Sequence, residues 1–200
     1  MKHLFFASHF EATPFILDSM NKVNNAPEVY EGEYRVIIIG TGITRSAINC
    51  SSYFEKYDIS ENDYYINLGI AGSVAPRKIG EILNISQVQI FCSEPIPESS
   101  KNIWQTSYPE IILNCNGKRL GTSLHPVWGS KFHTLLNEQE IDLVDMEGYS
   151  FAQACEKYSI SAKMVKAISD NLTKKSQSSF LENAQAAIDS LYRHFINELK

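Results

Sequence analysis

Four acids sit in apolar surroundings, three of them just past an apolar run. Glu11 lies four residues beyond Ala7, where the stretch 4–7 ends. Asp145 and Glu147 stand where the run 141–145 gives way to a helical pattern. Asp170 closes the run 162–169. Acids are rarely buried without a partner, so carboxylates placed this way call for a task. A carboxylate at the Glu147 position can accept hydrogen bonds from two neighbouring hydroxyls, as on a ribose. Carboxylates brought together raise one another's pKa, so that one carries a proton near neutral pH. Glu11, Glu147 and Asp170 in one place would therefore suit a sugar joined to a proton-accepting base. Each also has a plainer reading. Glu11 reads as a first-turn glutamate, Glu147 as a charge that stabilises a helix start, and Asp170 as a capping or turn residue.

The elements that must position them alternate between strand and helix. Residues 4–7 form a first strand, and 11–20 suit a helix with Pro14 in its first turn. "YRVIIIG" (34–40) is a β-branched run of the kind buried on both faces of a sheet. A helix over 44–57 follows, with Thr44 as its cap. "DYYINLGIAGS" (63–73) is a second buried strand ending in glycines, which let backbone approach a ligand closely. Residues 79–91 and 118–124 read as strands. So do 141–145 and 162–169, which flank a helix over 147–158. The last helix opens on the capping box Ser179-x-x-Glu182 and carries an apolar stripe from Phe180 to Leu199, so it is expected to lie on the sheet as a structural element. Residues 92–117, with three prolines, read as a loop of the length used for lids and substrate contacts.

This alternation predicts a single α/β domain over 1–200: three layers, α/β/α, around a central mixed, mostly parallel twisted sheet. Ligands of parallel sheets collect beyond the carboxyl ends of strands, where the three acids are expected to converge.

Composition excludes several classes. With 18 basic against 23 acidic residues the net charge is −5, and the basic residues are scattered, with no run longer than the pairs Arg77-Lys78, Lys118-Arg119 and Lys174-Lys175. No basic excess exists to displace phosphate counterions, so no nucleic-acid partner is expected. No run approaches the roughly 20 apolar residues of a membrane span. Cys50, Cys92, Cys115 and Cys155 form no C-x-x-C pair and read as thiols of a reducing, cytoplasmic compartment. The five histidines show no metal-binding spacing. "GTGITR" (40–45) follows a strand, but Arg45 stands where a dinucleotide fingerprint needs its third glycine.

Four segments, "ASHFEA", "NLGIAGS", "VDMEGYSFAQAC" and "KAISDN", together resemble the purine nucleoside phosphorylase and nucleosidase superfamily. The branch most similar is that of the methylthioadenosine/S-adenosylhomocysteine nucleosidases and the futalosine hydrolases. The resemblance implies that Glu11 positions and deprotonates the attacking water and that Asp170 protonates the purine. It implies that Glu147 holds the ribose 2′- and 3′-hydroxyls, with Met146 against the sugar and Ile70, Ala71 and Gly72 beside the base. It implies no metal, no organic cofactor and an obligate homodimer. Phosphorylases of the superfamily carry a Gly-Asp-Pro segment and an arginine after the first strand; Ser8-His9-Phe10-Glu11 stands there instead. An acid aimed at the nucleophile's place repels phosphate, so hydrolysis is expected.

Three positions depart from the methylthioadenosine branch. Ile70 replaces serine or threonine, Ser73 replaces glycine, and Lys166 replaces arginine. "GIAGS" is closer to the futalosine hydrolases, which makes futalosine or 6-amino-6-deoxyfutalosine, of menaquinone biosynthesis, the expected substrate. Methylthioadenosine or S-adenosylhomocysteine is the alternative. An alternative of another class is a nucleoside-binding protein that has lost turnover. Trp104, His125, Trp128 and Phe132 are candidates for the pocket wall, with core packing as the plainer role.

Overall fold

A computed structural model of the chain describes residues 1–113, 115–173 and 179–199. The strands are β1 (Lys2–Phe6), β2 (Asn21–Asn25), β3 (Glu28–Glu31), β4 (Arg35–Ile38), β5 (Tyr64–Ser73), β6 (Ile82–Ile90), β7 (Ile111–Ile112), β8 (Lys118–Thr122), β9 (Leu143–Asp145) and β10 (Ala162–Asp170). The helices are α1 (His9–Ala12), α2 (Ile43–Lys56), α3 (Lys101–Ser107), α4 (His133–Glu138), α5 (Gly148–Lys157) and α6 (Phe180–Leu199).

The strands form one mixed sheet between two helical layers. Phe5, Tyr53, Phe54, Phe151 and Cys155 belong to a core between the sheet and the pair α2 and α5. On the other face α6 lays Ala187, Leu191 and Phe195 against Phe6, Val165 and Ala167. Burying each large apolar side chain of that stripe stabilises the fold by about 1.5–3 kcal/mol. A third, smaller core joins Val127, Leu136, Ile141, Val144 and Leu172.

Two features of the sheet create room for a site. First, it closes on itself: β5 pairs β10, and β6, β8 and β9 lead back to β5. Second, β5 changes neighbours along one flank. Its registered pairing with β1 ends at Phe5↔Asn67, and that with β9 begins at Gly72↔Val144. The break between them spans Leu68 to Ala71. Because β9 runs antiparallel to β5, Glu147 reaches this break from the far side. The acids therefore meet for a different reason from a shared edge of parallel strands.

Other elements depart from expectation for local reasons. The helix foreseen over 11–20 is α1 followed by a 3-10 turn, Thr13–Phe15. Tyr34 Oη donates to the Phe15 carbonyl at 2.8 Å, taking the acceptor a longer helix would use. Gly42, at φ +87°, caps α2, and Thr44 lies inside its first turn. β6 starts only at Ile82, after a turn through Gly80 at φ +79°. Residues 92–117 contain α3 and β7, and Trp104 of α3 packs on Tyr108 at 4.7 Å. The β2–β3 hairpin, whose outer strand β2 is polar and largely exposed, extends the sheet beyond β4.

Candidate active site

Glu11, Glu147 and Asp170 line one cavity of about 330 Å³ at the break in the sheet, together with Ile70, Ala71, Gly72 and Met146. All seven residues to which the resemblance gives a role are thus brought together. A larger groove, about 760 Å³, lies between α3, Arg119 and residues 135–140, away from the acids. Among the described residues, none from 92–117 lines the acid cavity, so that segment is no lid over it.

Glu11 is fixed by both carboxylate oxygens. It occupies the third position of α1, and Ser8 is the N-cap. Ser8 N–H and Ser8 Oγ donate to Oε2 at 3.1 and 3.2 Å, completing a capping box. Oε1 enters the break and accepts from Ile70 N–H at 3.1 Å. Burial pushes the Glu11 pKa upward, and the nearby Lys166 charge opposes that shift.

Glu147 is the residue before α5, yet its side chain does not cap that helix. Oε1 accepts from Gly42 N–H at 2.7 Å, at the start of α2. Asp145 and Thr122 serve α5 instead. Gly148 N–H donates to Asp145 Oδ2 at 2.9 Å, and Tyr149 N–H to Thr122 Oγ1 at 2.8 Å. Burial, followed by the Asp145 charge, pushes the Glu147 pKa up to about 8.

Asp170 ends β10. Leu172 N–H donates to Oδ1 at 2.9 Å and Ser169 Oγ to Oδ2 at 2.9 Å. This is the turn aspartate of the plainer reading, but it lies in the cavity wall and its pKa is raised by burial. Leu172 sits at φ +53°, costly for a leucine. Its buried side chain and the Gly129 N–H bond to its carbonyl (2.7 Å) hold it there.

Two glycines leave space for these acids. A Cβ on Gly69 would stand 3.0 Å from Glu11 Oε1 and 3.3 Å from Lys166 Nζ. One on Gly72 would stand 2.3 Å from Leu172 Cδ2 and 3.0 Å from Asp170 Oδ1. Neither has room for a methyl group without moving the site.

Of the four wall candidates, Trp128 lines the cavity, with its ring 6.0 Å from that of Phe180. Trp104 lines the larger groove, Phe132 packs at the third core, and His125 is exposed. Sequence reasoning missed Phe10, Thr41, Phe180 and Leu181 as wall residues. The first turn of α6 is therefore part of the site as well as of the packing. A further omission is the ion pair between Asp145 Oδ2 and Lys166 Nζ (2.9 Å), both side chains almost wholly buried. Chemically, the cavity gathers three carboxyl groups, each held in place by backbone or hydroxyl donors.

Residues 124–197 match the phosphorylase superfamily. No curated protein matches the chain. Among solved structures, the 5′-methylthioadenosine/S-adenosylhomocysteine nucleosidase of Neisseria meningitidis, in complex with methylthio-immucillin-A, is 16% identical. The match covers 96% of this chain and 94% of that one, with a TM-score of 0.82. The futalosine hydrolase of Helicobacter pylori is 17% identical over 96% and 94% of the chains, with a TM-score of 0.80. A nucleosidase of the first kind from Colwellia psychrerythraea, in complex with adenine, is 18% identical over 95% and 90%, with a TM-score of 0.79. At these identities the likeness is one of fold: the chain has the architecture of these nucleosidases.

Proposed function

We propose that the protein is a nucleosidase that hydrolyses the N-glycosidic bond of a 5′-substituted purine nucleoside. The observation that carries this reading is the meeting of Glu11, Glu147 and Asp170 in one cavity. Breaking the bond builds positive charge on the ribose and negative charge on the base. Glu11 accepts a proton from the attacking water, and its carboxylate faces the positive sugar. Glu147 binds the ribose hydroxyls, with Met146 against the ring. Asp170 delivers a proton to the leaving purine, which Ile70, Ala71 and Gly72 flank. The Ser169 hydroxyl both donates and accepts, so it suits Asp170 with and without its proton. Two carboxyl groups dividing the work of acid and base follow the logic of glycoside hydrolysis.

Futalosine or 6-amino-6-deoxyfutalosine is the favoured substrate, on the strength of "GIAGS" and the futalosine hydrolase fold match. Methylthioadenosine or S-adenosylhomocysteine is the second reading, because nucleosidases of that kind match the fold equally well. Purified protein incubated with each nucleoside, with free base assayed, separates the two. Release of base from none of them defeats the nucleosidase reading. A homodimer and a cytoplasmic location belong to the same reading. Light scattering checks the first, and cell fractionation checks the second.

A further inference from the structure

Asp145, in the cavity wall, forms a buried ion pair with Lys166, and the proposed chemistry does not yet use it. Asp145 is fixed on three sides. Thr122 Oγ1 donates to Oδ1 at 2.8 Å, Gly148 N–H donates to Oδ2 at 2.9 Å, and Lys166 Nζ lies 2.9 Å from Oδ2. Lys166 comes from mid-β10, registered with Gly69 of β5 and Leu83 of β6. Its ammonium stands 3.3 Å from the point where a Gly69 Cβ would be, and Glu11 Oε1 stands 3.0 Å from the same point. The missing side chain of Gly69 thus lets a cation and the candidate base approach each other across the break.

A purely structural ion pair would have one partner for each charge. Here the ammonium is in contact with Asp145, and the charges of Glu11 and Glu147 also act on it. Burial alone lowers the lysine pKa, but the three acids together hold it above its ordinary value. We propose that Asp145 and Lys166 act as one positioning pair: Asp145 holds the ammonium against Glu11, and the ammonium keeps the Glu11 carboxylate in the break as the proton acceptor. Asp145 acts through Lys166.

The catalytic part of this proposal rests on the nucleosidase reading, so its test begins with a readout that needs no turnover. In protein labelled with carboxyl-13C glutamate, the Glu11 resonance is identified by its loss in Glu11→Gln. Lys166→Met is expected to raise the Glu11 titration midpoint by about 1–3 pH units, the effect of removing an opposite charge at short range. Lys166→Arg should leave it near the wild-type value. Should Lys166→Met fail to fold, Asp145→Asn/Lys166→Met, which removes both charges at once, replaces it with the same direction expected. The second readout is a double-mutant cycle on kcat for base release. Asp145→Asn and Lys166→Met should each lower kcat by about 10- to 100-fold, the scale set by misplacing a reacting group. The double variant should lose no more than the worse single one, because one unit has been broken twice. An unmoved Glu11 midpoint, or losses that multiply, overturns the pair. A wild-type protein that releases no base defeats the nucleosidase reading alone, and the titration still decides the pair.

Discussion

Gly69→Ala tests the geometry of the break with one methyl group. The new Cβ would stand 3.0 Å from Glu11 Oε1, where ordinary contact begins at 3.4 Å. The carboxylate must retreat by about 0.4 Å, against its bonds to Ile70 N–H and Ser8. A misplacement of 1 Å costs up to about 100-fold in rate, so 0.4 Å corresponds to about sixfold in kcat. Overpacking costs about 1–3 kcal/mol. The restriction of the unfolded chain by alanine returns about 0.4–1 kcal/mol of that. The net loss of stability is then about 0–2.6 kcal/mol, and the protein should stay folded. Steady-state base release, with kcat separated from KM, and urea unfolding of the same preparations measure both terms. Gly117→Ala is the control. Its Cβ would meet the Asn84 carbonyl oxygen at 2.3 Å, far from the acids, so it should lower stability and spare kcat. A folded Gly69→Ala protein with kcat within twofold of wild type would refute the placement of the reacting water beside Glu11.

Three further expectations use the same assays. Glu11→Gln and Asp170→Asn should each lower kcat by about two to four orders of magnitude, the usual general acid–base contribution; unchanged rates would remove their assigned roles. Ser8→Ala removes the side-chain cap of α1 and one donor to the Glu11 carboxylate, the Ser8 hydroxyl, while the backbone N–H at position 8 still donates; it should cost about 1 kcal/mol by urea unfolding and more in rate than in stability. Glu147 retains a proton up to about pH 8 when folded, against about 4.5 when unfolded. The folded state then binds more protons across that window, and this contribution to stability is lost as pH rises through it. His3, whose pKa burial lowers, acts in the opposite direction below its ordinary value of 6.5, so the comparison is between variants. Glu147→Gln should gain stability relative to wild type between pH 5 and pH 8; a constant difference would show that Glu147 does not titrate there.

The alternation of elements was legible because the long strands and helices carry strong periodicities. β4 is largely β-branched, β5 and β10 are mostly apolar and buried along most of their length, and α6 keeps its stripe through Ala184, Ile188, Leu191 and Phe195. The β2–β3 hairpin was not, because "NKVNN" at the exposed edge has no buried face to impose a pattern. The direction of β9 was not either: three residues carry no orientation, and antiparallel pairing with β5 is decided by tertiary contacts. The wall residues Phe10, Thr41, Phe180 and Leu181 come from three separate segments, which no local spacing connects. One missed signal was readable. Ser8-x-x-Glu11 is a capping box, and it announces that Glu11 is held by its own helix start.

The plainer readings of the acids turn out to be partly compatible with chemistry, and hydrogen-bond capacity explains why. A carboxylate has about four acceptor positions. Glu11 uses Oε2 for the capping box, and this fixes the side chain so that Oε1 points into the break. Asp170 uses its turn bonds in the same way, to hold a buried carboxyl at the cavity wall. Glu147 is different, because capping α5 would turn it away from the cavity. That duty falls to Asp145 and Thr122, which releases Glu147 to reach Gly42 across 105 residues of sequence. Replacing Asp145 should therefore disturb two things at once, the start of α5 and the charge balance around Lys166. The double-mutant cycle separates them. A capping loss appears in stability and survives when Lys166 is also replaced. A charge loss appears in kcat and vanishes in that background.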